Sequence, residues 1–121
     1  MREKCATHPS TSAINRTLDT APTPPPGAEL ICKWEDHFTD RLPYRSVLGV
    51  DRTVTDHPAR VYSTVVQLAD GSIEDNGVSS PAIFVCDDDS GCLPKLNSDQ
   101  ARELAAALLE CAAELDGWTQ R

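Results

Sequence analysis

The hydrophobic pattern from residue 44 onward predicts three β-strands. Residues 44–50 (YRSVLGV) end in an apolar run, and residues 60–68 (RVYSTVVQL) alternate between two faces. One face carries Val61, Ser63, Val65 and Gln67, and the other, more apolar face carries Tyr62, Thr64, Val66 and Leu68. β-Branched residues dominate both faces, which suits a pleated sheet. Residues 81–86 (PAIFVC) form a third apolar run, opened by a proline that is tolerated at the first position of a strand.

The connection between the second and third strands contains two turn signals, Asp70-Gly71 and Asn76-Gly77. Two arrangements are compatible with them. Either the whole connection is one long hairpin loop, or Ser72–Glu74 add a brief extra strand pairing.

Residues 96–118 predict an amphipathic helix. Asn97 can accept a hydrogen bond from the Gln100 amide while the Gln100 side chain reaches back, which makes a capping box. One apolar stripe recurs at helical spacing and consists of Leu104, Leu108, Cys111, Ala112 and Leu115. Gly117 is predicted to end the helix in a left-handed conformation, with Trp118 folding back on the last turn.

Together these elements predict a small α+β fold, in which an antiparallel sheet of about three strands packs against one C-terminal helix. Cys111, on the apolar stripe, is predicted to be a small buried core residue. The first 28 residues hold few large apolar groups and end in a proline-rich run. We therefore expect a disordered arm over 1–28, with an extended proline-rich linker at its end, and a domain over 29–121.

The charge of the chain narrows the classes of partner. The formal net charge is −8, and residues 29–121 hold 8 of the 11 basic and 17 of the 19 acidic side chains. Such a domain is expected to avoid nucleic acid and anionic membrane surfaces, which both need cationic protein groups. The N-terminus lacks the apolar region of a signal peptide, and no apolar run reaches the length of a membrane span, so we expect a soluble, cytoplasmic protein.

Five cysteines in a chain without an export signal predict reduced thiols rather than a disulfide framework. Two pairs of soft ligands, Cys32-x4-His37 and Cys86-x5-Cys92, suggest one zinc site, although the second spacing exceeds the usual two to four residues. The alternative is that Cys32 and Trp34 pack under the helix, His37 is solvated and Cys86 and Cys92 are free.

Acidic residues form a second candidate site, for a partner with basic groups. They lie on the outer side of the helix and just before it, and comprise Asp87, Asp88, Asp89, Asp99, Glu103, Glu110 and Glu114. Residues 87–91 (DDDSG) resemble the opening of a calcium loop, but the twelfth position is Ser98 instead of glutamate, which favours a polar turn. The acidic surface either keeps the protein dispersed, or meets a basic partner, or imitates a nucleic-acid backbone.

The sequence offers little for catalysis. It contains no nucleophile elbow, phosphate-binding glycine loop, HExxH pair or dinucleotide fingerprint. A Cys–His pair, from Cys32 or Cys86 with His37 or His57, would need the two side chains to meet in space. We therefore predict that the protein is not an enzyme.

Two segments resemble an uncharacterised family of small actinobacterial and actinophage proteins of unknown function. The front element of that family corresponds to Cys32, Trp34 and His37. Its C-terminal "QAR-LA-AL" helix corresponds to Leu96, Asn97, Gln100, Ala101, Arg102, Leu104, Ala105, Ala107 and Leu108. The family pattern has a cysteine after the tryptophan, where this chain has Glu35. The resemblance implies an origin, and it implies no activity.

The leading hypothesis is a non-enzymatic accessory or regulatory protein that binds a partner protein, through the acidic helix edge or the exposed sheet face. The first alternative is a structural zinc module built on Cys32, His37, Cys86 and Cys92. The second is an acidic mimic that inhibits a DNA-binding protein.

Overall fold

An antiparallel sheet and one long helix account for the secondary structure in this computed structural model, which describes residues 22–36, 42–87 and 95–120. The strands are β1 (Leu30–Ile31), β2 (Tyr44–Leu48), β3 (Arg52–Val54), β4 (His57–Leu68) and β5 (Ala82–Cys86), and the helix is α1 (Ser98–Thr119). A 3₁₀ turn, Gly77–Ser79, precedes β5. The predicted α+β class, with a small antiparallel sheet and a C-terminal helix, is confirmed.

The twelve-residue strand β4 is the centre of the sheet. Arg60 and Val61 each pair with both β3 and β5, and Thr64 pairs with both β2 and β5. Strands β2 and β3 therefore lie along one edge of β4, while β5 lies along the other. Strand β1 pairs with β2 on its far side.

Strands β2 and β3 act as one bent strand in a long hairpin with β4. The Gly49 amide donates to the Ser63 carbonyl at 2.9 Å and so bridges the interval between them. Near the turn the register shifts, from Thr53 opposite Arg60 to Val54 opposite His57. The sequence pattern missed β3 and the first residues of β4, because this irregular pairing breaks the two-residue alternation.

Helix α1 covers the β4 face that carries Val61, Ser63, Val65 and Gln67, the less apolar of the two predicted faces. All four residues are buried. The two polar residues are hydrogen-bonded. The Ser63 hydroxyl donates to the Cys111 carbonyl at 3.2 Å, and the Gln67 side-chain amide donates to the Thr23 carbonyl at 3.0 Å. Hydrogen bonding removes the cost of burying them, so counting apolar residues alone did not identify the buried face.

Two apolar clusters form the core between helix and sheet. Val61 packs with Ala107 and Cys111 near the middle of α1, and Val47 and Val65 pack with Trp118 at its end. Cys111 has no exposed surface, which confirms its prediction as a core residue.

The two ends of α1 compare differently with the prediction. The capping box is confirmed, because Asn97 Oδ1 accepts from the Gln100 amide at 2.8 Å and Gln100 Oε1 accepts from the Asn97 amide at 3.0 Å. The predicted stop at Gly117 is wrong, since the helix continues to Thr119. Glycine inside a helix costs about 1 kcal/mol. Burial of the large Trp118 indole on the sheet offsets more than that.

Residues 22–28, which we call the proline segment, pack on the domain. The Trp118 indole N–H donates to the Pro26 carbonyl at 2.7 Å, and Arg45 Nη2 donates to the Pro22 carbonyl at 2.7 Å. Three backbone carbonyls of this segment, counting the one bound by Gln67, are thus held by side chains of the fold. The domain boundary at residue 28 stays a prediction, and residues 1–21 of the predicted arm lie outside the described residues.

The β4–β5 connection contains the brief extra pairing that was one of the two alternatives. Ile73 forms a bridge with Gln67, and the Glu74 amide donates to the Val66 carbonyl at 2.8 Å. The turn before it is closed by Asp70, whose carboxylate accepts from the Ser72 hydroxyl at 2.6 Å and from the Ser72 amide at 2.9 Å. These hydrogen bonds lower the pKa of Asp70.

Trp118→Phe tests the link between helix, sheet and proline segment. The substitution removes the N–H donor to Pro26 but keeps an aromatic ring, so the free energy of unfolding should fall by about 1–2 kcal/mol in urea denaturation. Leu109→Ala is the control on the same helix, because Leu109 is 72% exposed, and it should change that free energy by less than about 0.5 kcal/mol. Equal effects of the two variants would contradict a binding role for the indole N–H.

Candidate functional site

Of the four predicted zinc ligands, Cys32 and Cys86 lie among the described residues. Cys86 is a free, half-buried thiol, and Arg60 Nη2 lies 3.8 Å from its sulfur. Cys32 is buried and disulfide-bonded, so its sulfur is not a thiolate ligand. His37 and Cys92 lie outside the described residues. Within residues 22–36, 42–87 and 95–120, no group of three or more Cys, His, Asp or Glu side chains could hold a metal ion.

The disulfide at Cys32 corrects the expectation of reduced thiols. Cys86 and Cys111, the other described cysteines, are free. Spacing in the sequence gave no sign of this bond, since it depends on which segments meet in the fold.

The stretch around Cys32 serves as a packing element. The Cys32 amide donates to the Ser46 carbonyl at 2.9 Å, which extends the pairing of β1 with β2. Trp34 is buried, and the Arg45 guanidinium carbon lies 4.4 Å from the centre of one of its rings. Burial lowers the pKa of Arg45. Trp34 thus supplies an aromatic face to a buried cation, which is a favourable cation–π geometry.

Of the residues considered for a Cys–His pair, His57 and Cys86 both make contacts within the sheet. His57 Nδ1 accepts from the Ala59 amide at 3.1 Å, which holds the imidazole on the β3–β4 hairpin. Cys86 lies beside Arg60 at the opposite edge of β4. These contacts assign both residues to the sheet structure.

The predicted acidic helix edge is largely engaged in contacts within the molecule. Glu103 accepts from the Thr55 hydroxyl at 2.9 Å and from the Thr55 amide at 3.2 Å. Arg52 on β3 approaches Glu110 at 3.1 Å and Glu114 at 3.4 Å. These three glutamates therefore dock α1 onto the β3–β4 hairpin.

The Glu114 carboxylate lies close to the backbone at Gly49. A Cβ atom on Gly49 would clash with Glu114 Oε1, and a Cβ atom on Gly27 would lie 3.4 Å from Glu114 Oε2. The Glu114 side chain is only 15% exposed as a result. Burial alone would lower the pKa of Arg52, but its hydrogen bond to Glu110 and the Cys111 and Glu114 interactions reverse the direction and raise it.

The remaining acidic candidates are Asp87, Asp88, Asp89 and Asp99. Asp99 pairs with Arg102 on the exposed first turns of α1 at 3.0 Å. Asp87 is half-buried directly after β5, and Asp88 and Asp89 lie outside the described residues.

The sheet face turned away from α1 carries an exposed aromatic pair, which the sequence analysis did not single out. Tyr62 and Phe84 are cross-strand partners, and their rings stack with centroids 5.5 Å apart. Phe84 is 50% exposed. A shallow groove of about 200 Å³ runs beside it, between Thr64 of β4 and Ser80 of the connection. Alternation along each strand predicts that Tyr62 and Phe84 share a face once the register is known.

Strand β5 forms an edge of the sheet. Among the described residues, no strand pairs with its outer side. Its sequence, AIFVC, contains neither a charge nor a proline, and Val85 is 38% exposed beside Phe84. Edge strands commonly carry a charge or a proline, because these residues prevent the unpaired backbone groups from pairing with other chains. We call Ala82–Cys86 together with Tyr62 the β5 edge.

Comparisons with protein-family models, curated proteins and solved structures found no match. The resemblance to the actinobacterial and actinophage family therefore stays a prediction. Among the described residues, no helix is both long enough and apolar enough to cross a membrane.

Arg52→Gln tests the docking of α1 onto β3. Removing the guanidinium leaves the Glu110 and Glu114 carboxylates facing each other, so the free energy of unfolding should fall by about 1–3 kcal/mol. A double-mutant cycle with Glu114→Gln in urea should give a coupling energy of at least about 0.5 kcal/mol. Arg102→Gln is the matched control, because Arg102 is 76% exposed, and it should cost less than about 0.5 kcal/mol. A coupling near zero would contradict the docking role.

Thiol counting tests the disulfide at Cys32. The bond removes two of the five thiols, so the unreduced, denatured protein should show three alkylated cysteines by mass spectrometry and five after reduction. Cys32→Ser should release the bonded partner and raise the unreduced count to four, whereas Cys86→Ser should lower it to two. Five thiols in the unreduced wild-type protein would instead support the reduced state predicted from the sequence.

Proposed function

We propose that the protein is a small, non-enzymatic accessory protein that binds a partner protein through the β5 edge. The partner contributes an extended segment that adds to the sheet as a further antiparallel strand. The observation that carries this proposal is the unblocked outer side of β5, which no described strand covers, beside the exposed Phe84 and Val85.

Strand addition suits the chemistry of this edge. Backbone hydrogen bonds supply affinity in such complexes, and pockets for alternate side chains supply specificity. Successive residues of β5 point to opposite faces of the sheet. On one face a partner side chain would meet Phe84 and its stacked neighbour Tyr62, and on the other it would meet Val85. The proposed partner segment therefore alternates, with apolar or aromatic residues on the Phe84 side.

Charge indicates the composition of the partner segment at one end. The sequence continues from β5 directly into Asp87, Asp88 and Asp89. The N-terminal end of an antiparallel partner strand would lie next to the C-terminal end of β5. We therefore expect lysine or arginine just before the apolar residues of the partner, and association that slows as salt screens these charges.

The helix edge has less support as the docking surface. Glu103, Glu110 and Glu114 already accept hydrogen bonds from Thr55 and Arg52. Binding a basic partner there would require breaking these contacts. The same contacts weaken the acidic-mimic alternative, because a mimic of nucleic acid needs carboxylates that are available in a row.

Selection of peptides from a random ten-residue library tests the proposal. Enriched peptides should have basic residues before an alternating apolar run, and in NMR titrations they should shift the amides of residues 82–86. Amides on the outer side of β5 should also become protected from hydrogen exchange, because strand addition gives them acceptors. Phe84→Ala should weaken binding about fivefold or more, since aromatic anchors contribute upwards of about 1 kcal/mol.

Leu109→Lys provides the control, because it alters an exposed apolar side chain on the outer face of α1, and it should leave peptide affinity unchanged. Peptides that shift α1 amides instead of β5 would favour the helix edge. If the enriched peptides bind Phe84→Ala and Leu109→Lys as tightly as the wild-type protein, the β5 edge is not the binding site.

A further inference from the structure

A cavity of about 690 Å³ lies where the proline segment, the β4–β5 connection and the end of α1 meet. Its apolar lining includes Pro25 of the proline segment, Ile73 of the connection, and Leu115 and Trp118 of α1. Its volume falls in the range of about 300–1,000 Å³ that is usual for small-molecule sites. The cavity is separate from the β5 edge proposed above as a protein-binding surface.

The charged groups that line the cavity are acidic. Asp75 and Asp116 contribute the carboxylates, both on exposed residues, and no described lining residue is basic. The cavity also lies at the C-terminal end of α1, where the helix dipole places partial negative charge and where the last turn carries no basic side chain. Arg45 reaches the lining residue Gln67, but its guanidinium is engaged by the Gln67 and Pro22 oxygens.

We propose that this cavity binds an organic cation, namely a small molecule with an apolar body and one ammonium group. The apolar residues of the lining contact the body, and Asp75 and Asp116 attract the ammonium group together with the helix end. A metal ion is a poorer match, since the described residues offer no group of three acidic, histidine or cysteine ligands there. An ammonium ion, in contrast, needs only one or two carboxylates once its body is buried.

The proline segment forms part of the wall, so binding should also steady that segment. Gln67 and Thr23 both line the cavity and are joined by a hydrogen bond at 3.0 Å. Pro25 is buried and lines the cavity, and the carbonyl of the neighbouring Pro26 accepts a hydrogen bond from the Trp118 indole. A ligand in contact with Pro25 therefore stabilises the state in which the segment is docked.

The test uses three probes of similar shape, 2-phenylethylamine, 2-phenylethanol and 3-phenylpropionate, in NMR titrations of the full chain. The amine should shift the amides of Ile73, Asp75 and Asp116 and the indole resonance of Trp118. The alcohol should bind about fivefold or more weakly, because it forms no ion pair with the two carboxylates. Each exposed ion pair typically contributes a factor of about two to five in affinity. The propionate should bind more weakly still.

Asp75→Asn with Asp116→Asn should remove the preference for the amine over the alcohol. Asp56→Asn with Asp99→Asn changes the net charge equally at a distance and should preserve that preference; Asp56 has φ 55°, which asparagine tolerates. Asp116→Arg places a cation at a helix C-terminus, which favours folding, and it should abolish amine binding.

Two results would overturn the proposal. One is equal affinity of the cavity for all three probes, which would make it an unselective apolar site. The other is an absence of shifts around the cavity at millimolar amine in a chain that gives the resonances of the folded state.

Discussion

The buried indole of Trp118 is the contact on which the arrangement of the domain depends. Its ring packs on Val47 and Val65 of the sheet, and its N–H binds the carbonyl of Pro26, a residue 92 positions earlier in the chain. One side chain thereby joins helix, sheet and proline segment. Without the burial of Trp118, the cost of placing Gly117 inside the last turn of α1 would not be offset. The cavity beside the indole would also lose a wall.

Electrostatics inside the molecule determine which surfaces remain available. A chain of net charge −8 could have presented its helix as an acidic edge, yet Arg52 and Thr55 of the hairpin take up three of the helix glutamates. Gly49 lacks a side chain at the point where Glu114 approaches the backbone. The helix is thus fastened along the hairpin, and these contacts involve neither β5 at the opposite edge of the sheet nor the end of the helix.

Local signals in the sequence predicted the elements whose stabilising contacts are local. The Asn97–Gln100 capping box and the alternation of β4 both span a few residues, and both are confirmed. The proline segment, the length of α1 beyond Gly117 and the roles of the glutamates were missed, because each depends on a partner far along the chain. The Arg52–Glu114 pair spans 62 positions and has no signature in either segment alone. The aromatic stack of Tyr62 and Phe84 likewise needed the strand register.

The meeting of Pro26 and Trp118 also brings the two ends of the described domain together. The hydrogen bond between Trp118 and Pro26 therefore holds the start and the end of the described chain together. Thr23 and Thr119, near the two ends of the described chain, line the same cavity. A short bridge between those ends would leave the order of the strands intact, so the domain has the geometry required for circular permutation or for insertion into a surface loop of a host protein.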